Sequence, residues 1–265
     1  MVKKMSGFTR SIAYPWALTG IFAAVHLVIT LVPFNLSVGG GGEISFGLVS
    51  APIIGFLLGP IFGVIAVMAG SLLAMTINPL IALLGPFTAL ATAAGAFAAG
   101  AMRTRIRISV PIIFVMAMIV YLASPVGIAV PIFIWFHLFA FFLSLLYFIP
   151  NLSTRLISPL NLKAGVQRTR VFASIWVFCL VAVTLDQAVG SAIGGWYLPP
   201  FFGLATIVGF FQSAVLLYAF ERLVASLIIA IVISALVEVL SKADYGLPLT
   251  RIGGFELLEL QDEEI

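Results

Sequence analysis

Apolar runs long enough to cross a bilayer follow one another along this chain, separated by little except Gly-Pro, Asn-Pro and Ser-Pro breaks and short basic loops. A hydrocarbon layer of about 30 Å takes about 20 helical residues. A membrane β-barrel would instead show short segments of alternating polarity, and those are not the pattern here. Only 9% of the 265 residues are charged and the mean hydropathy is +1.23, whereas a soluble domain carries about 25% charged residues. No soluble core could hide so much apolar surface. The chain reads as an all-α, polytopic integral protein of the cell membrane.

The runs cover residues 11–32, 44–58, 61–77, 83–102, 110–123, 130–149, 171–193 and 220–240. They give about eight spans in a single transmembrane domain, residues 1–243, followed by a polar tail, 244–265. The moderately apolar stretch 201–218, opened by Pro199-Pro200, is expected to dip into or lie along the outer face without crossing. Lys3, Lys4 and Arg10 precede the first run, which places the N-terminus in the cytoplasm. Arg103, Arg105 and Arg107 fall after the fourth run, and Arg155, Lys163, Arg168 and Arg170 after the sixth. Both loops are cytoplasmic by counting, and their charges agree. The net charge of +3 therefore orients the protein and does not point to nucleic acid.

No catalytic constellation is present. The chain has no Gly-rich phosphate loop with its Lys, and no carboxylate pair suited to hydrolysis. His26 and His137 stand far apart without metal-ligand spacing, and Cys179 is alone inside an apolar run. The reading is of a non-enzyme that needs neither metal nor cofactor.

What remains is a small set of polar and small residues. Ala13, Ala17, Gly20 and Ala24 are spaced by four, three and four, which puts them on one face of the first helix. Small stripes of this kind let a second helix approach closely in lipid. The ionisable groups at membrane depth are Asp186, Glu221, Arg222 and Glu238. Such groups are costly there, so they pair or face a cavity. Glu221 and Arg222 are neighbours and point to different helix faces. Asp186 and Gln187 precede Gly194-Gly195 by about two turns, which places them in the outer half of a span. The four glycines Gly39 to Gly42, beside Asn35 and Glu43, form a mobile lid on the same side, with Asp186, Gln187 and Trp196 on the cavity wall beneath. Ser45, Asn78 and Glu221 complete the candidate substrate-binding set.

The segment "ISFGLVSAPIIGFLLGPIFGVIAVMAGSLLAM", with Gly55, Gly59, Pro60, Gly63 and Gly70, resembles the second and third helices of the substrate-binding S components of energy-coupling factor (ECF) transporters. "YAFERLVASLIIAIVISALVEVL" is similar to the family's last helix, where Glu-Arg lies at the extracellular opening. About two spans around residues 103–170 are inserted relative to the usual six, and Ser71 and Leu72 stand where the family often has an acid. The resemblance implies a first-helix stripe, here Ala13, Ala17, Gly20 and Ala24, that docks on a coupling transmembrane subunit. It also implies ABC-type ATPase subunits as partners and a first extracellular loop that caps the substrate. The expected function is capture of a small water-soluble nutrient, a vitamin or vitamin precursor, at the outer face. The alternative is an ion-coupled secondary transporter that uses Asp186. A structural membrane protein without a ligand is a third reading.

Overall fold

The computed structural model of the chain describes residues 11–32, 45–157, 168–242 and 247–250. These residues are helical almost throughout. α1 (Ala13–Thr30), α2 (Gly47–Leu58) and α3 (Pro60–Ile77) lead through two 3-10 turns to α4 (Thr88–Ala101). α5 (Ser109–Leu122), the short α6 (Pro125–Ala129), α7 (Trp135–Leu145) and α8 (Pro150–Ile157) follow. α9 (Arg168–Tyr197), the single turn α10 (Pro199–Phe202) and α11 (Leu204–Lys242) complete the order.

Proline opens α3, α6, α8 and α10, the position where its missing N–H is no loss and its fixed φ suits a helix. Gly59, between α2 and α3, has φ +84°, and Gly203, between α10 and α11, has φ +80°. Side chains rarely adopt such angles, so the two breaks are written into the sequence.

α9 is the axis of the bundle. It packs against α4, α11, α5 and α7, and 72% of its apolar window is buried. α4 lies between α9 on one side and α2 and α3 on the other. Its run of alanines and glycines makes that possible. A Cβ at Gly55 of α2 would meet the backbone of Ala96, and one at Gly100 the backbone of Pro60. α1 stands outermost, against α3 and α2.

Among the described residues, six helical segments are long and apolar enough to cross a membrane: Ala13–Thr30, Pro60–Ile77, Arg105–Leu122, Pro131–Phe148, Thr169–Tyr197 and Leu204–Leu240. The expected second and fourth spans come out shorter. α2 has 12 residues and α4 has 14, so they rise only about 18 and 21 Å. Both are lodged among longer neighbours, and 11 of the 12 residues of α2 are buried. The fourth run loses its start because Gly85-Pro86 sits in a 3-10 turn. The end of the chain also differs. Residues 204–218 and the last run form one 39-residue helix, about 58 Å long. No Gly or Pro after Gly209 interrupts it, and Glu221-Arg222 lies inside it, not at its opening.

The loop at Arg103, the Gly59 turn and the segment 247–250 meet at one end of the bundle. The last carbonyls of α2 have no intrahelical partner and are met there by remote groups. Arg103 donates to the Phe56 carbonyl and lies over the Phe56 ring, 3.9 Å from its centroid. The Leu249 N–H donates to the Leu57 carbonyl at 2.8 Å, and the Thr250 hydroxyl to the Leu58 carbonyl at 2.7 Å. Part of the polar tail is thus docked, with Leu247 and Thr250 buried. This is the basic end; α9 and α11 meet α10 at the far end.

One histidine ties the first three helices together. The His26 ring, fully buried, reaches Ser50 Oγ of α2 through Nδ1 at 2.7 Å and Ser71 Oγ of α3 through Nε2 at 2.9 Å. A neutral ring offers one donor and one acceptor, which matches two hydroxyls. His26→Ala is expected to cost about 2–4 kcal/mol, from two interhelical hydrogen bonds and the cavity left behind. Thermal unfolding in detergent measures it. Pairing the change with Ser50→Ala should cost less than the sum of the two.

Candidate functional site

Of the candidate binding residues, the fold gathers Asp186, Gln187 and Glu221, and adds Arg222. Asp186 and Gln187 lie on α9, eleven and ten residues from its far end. Glu221 and Arg222 lie near the middle of α11. The two helices pack on each other. Arg222 is 6% exposed and donates through Nη2 to Gln187 Oε1. Asp186 neighbours Gln187 on α9, and Glu221 neighbours Arg222 on α11. Gly95 of α4 backs Asp186: a Cβ there would come within 3.2 Å of the Asp186 Cβ. The Gln187 amide also donates to Ser191 Oγ at 3.2 Å, one turn further along α9.

Towards the far end, an aromatic layer lies over this cluster. Phe133 stacks on Tyr218 with centroids 4.4 Å apart and meets Phe211 at 4.6 Å. Tyr121 stacks on Phe211 at 5.7 Å. The Tyr218 hydroxyl donates to the Phe133 carbonyl at 2.6 Å, and the Tyr121 hydroxyl to the Val130 carbonyl at 3.1 Å. Tyr121 and Phe211 stand beside Gly195 and Gly194 of α9, about 12 Å beyond Asp186 along the helix. His137 lies one turn below Phe133 on α7, 5.4 Å from the Tyr218 ring. Asp186 was expected to face a cavity open to the outside; in the structure it is half-buried, and the layer lies further along the bundle towards the far end. A cleft of about 490 Å³ lined by residues 129–132, 212, 213, 215 and 216 lies beside the same layer and includes none of the charged residues.

The other candidates are placed elsewhere. Asn35, the glycines 39–42 and Glu43 lie outside the described residues. Ser45 accepts from the Gly47 N–H at 3.2 Å at the start of α2, and Asn78 caps a 3-10 turn by accepting from the Leu80 N–H at 3.1 Å. Each side chain already serves local backbone. Trp196 stands apart from the cavity wall expected of it. It is 51% exposed, its indole donates to the Val120 carbonyl at 3.0 Å, and it lies ten residues from Asp186, about 15 Å along the helix. Arg222, Tyr218 and His137 are the members that sequence reasoning left out of the site. Arg222 carried a signal, a lone guanidinium in an apolar run, but its neighbour Glu221 drew the assignment.

The faces of α1 are cleanly divided. Pro15, Thr19, His26 and Thr30 point into the bundle. Ala13, Ala17, Gly20 and Ala24 are all exposed, and a Cβ on Gly20 would meet nothing within 4 Å. The stripe is therefore not used for packing within the described chain.

Comparison with protein-family models, with curated proteins and with solved structures finds no match in any of the three.

Proposed function

We propose that this chain is the substrate-binding membrane subunit of an ECF-type importer, capturing a small water-soluble nutrient, a vitamin or vitamin precursor, at the outer face. The observation that carries the reading is the pair Glu221 and Arg222 buried within an apolar bundle, with the half-buried Asp186 and Gln187 on the facing helix. Ionisable groups at that depth are costly, and they commonly mark substrate or ion pathways. The aromatic layer above them supports an occluded site that opens by rearrangement. The exposed small face of α1 supports a docked coupling subunit, with separate ATPase subunits supplying energy. In this reading the basic end faces the cytoplasm, following the bias of Arg and Lys to that side.

The test is uptake by cells that carry the chain with or without ATP-hydrolysing partner subunits, alongside mass spectrometry of small molecules released from the purified chain. Release of a saturable, water-soluble ligand and loss of uptake without the partners are expected. Uptake that persists without them but stops when the proton gradient is collapsed, or in Asp186→Asn, would instead establish the ion-coupled carrier. Absence of any released or saturable ligand would rule out capture altogether.

A further inference from the structure

The guanidinium of Arg222 is only partly used. A guanidinium carries five N–H bonds. One goes to Gln187, whereas Nε and Nη1, which hold three of the five, are buried without a partner. Among the described residues no hydrogen bond or ion pair joins Asp186 or Glu221 to it. At the same level His137 is 1% exposed, and its Nε2 is likewise buried without a partner. In a lipid-embedded bundle a polar atom left without water or a partner is heavily penalised. Unmet donors on a cation, held rigidly between packed helices, therefore mark a place that something else completes.

We infer that the Arg222 cluster takes a solute bearing a carboxylate together with N–H donors, the carboxylate accepting from the unpartnered N–H groups of Arg222 and the donors facing Asp186. This rests on the reading of the chain as a solute-capturing subunit and names the chemistry of what is captured. The charges argue for the combination. A cationic solute would leave the guanidinium N–H groups unmet and face a like charge. A simple anion would meet Arg222 but also the Asp186 carboxylate. A solute with both kinds of group answers both side chains. Arginine suits the first role because its planar donors match the two oxygens of a carboxylate. His137 Nε2 offers one further contact, as donor or acceptor according to its tautomer.

The experiment uses the full purified chain and the solute it releases on denaturation. Mass spectrometry should find a free acid with N–H groups. Added back to the unliganded wild-type chain, that acid should raise the unfolding temperature, and its methyl ester should not. Arg222→Gln should weaken binding of the acid about ten- to a hundredfold, the scale of one lost charge-assisted hydrogen bond. Arg222→Lys, which keeps the charge but not the fork, should fall between. A released solute without an acidic group, or equal stabilisation by acid and ester, would overturn the inference and leave capture intact; the ester comparison needs no variant to fold. Failure to recover any solute would overturn capture itself, and the inference with it.

Discussion

Gly55→Ala is expected to prevent formation of the native bundle, although it adds one methyl group. The Cβ would stand 2.6 Å from the carbonyl carbon of Ala96 and 2.7 Å from its Cα. These are backbone atoms of α4, so no side chain can turn aside. Either α2 and α4 separate or one of them shifts along its axis. Overpacking in a core ordinarily costs about 1–3 kcal/mol, and a backbone-to-backbone contact belongs at or above the top of that range. Separation would also weaken the contact of α4 with α3 and α9, because α4 is clamped between them. A membrane bundle holds together chiefly by such close approach. The measurement is the yield of monodisperse protein and its unfolding temperature in detergent, with Gly20→Ala as the comparison. Gly20 has open space around it, and its alanine variant should match or slightly exceed wild type, since alanine favours helix over glycine by about 1 kcal/mol. If the two variants behave alike, close contact between α2 and α4 is not what holds the bundle.

On the proposed reading, Ala17→Trp is expected to abolish assembly with the proposed coupling subunit while the isolated chain stays folded and binds the proposed solute normally. Ala17 lies in the middle of the exposed stripe of α1, opposite the face that carries Thr19 and His26. Ala17 is exposed, so an indole there rests easily among lipid tails. In a complex it would hold the two helices apart along the line where small residues let them meet, and packing energy falls steeply with separation. A loss of at least about a hundredfold in association is expected, equivalent to roughly 3 kcal/mol. Co-purification with tagged coupling and ATPase subunits measures assembly, and thermal unfolding of the isolated chain measures folding. Assembly at wild-type yield would show that the partner docks elsewhere. Joint loss of folding and assembly would show that Ala17 supports the chain itself.

The sequence by itself determined the class of molecule. Long apolar runs with few charges leave no solution but membrane helices, because every backbone group in lipid must be paired within its own segment. It also placed the breaks at Gly59-Pro60 and Asn78-Pro79, since proline and a left-handed glycine act locally, and it marked the α1 stripe, since helical spacing alone sets which residues share a face. Tertiary structure decided which way that stripe points: outward, because the opposite face carries His26 to Ser50 and Ser71. It shortened the second and fourth runs to α2 and α4, which hydropathy cannot foresee because an apolar residue suits a protein neighbour as well as a lipid tail. It joined 204–218 to the last run, because burial of Glu221 and Arg222 against α9 lets two charges lie within a helix where a linear reading takes them for its end. The same packing set Arg222 beside Gln187, which lies 35 positions earlier in the chain, and left its other N–H groups unmet. No local pattern encodes that pairing, since it exists only where two long helices cross.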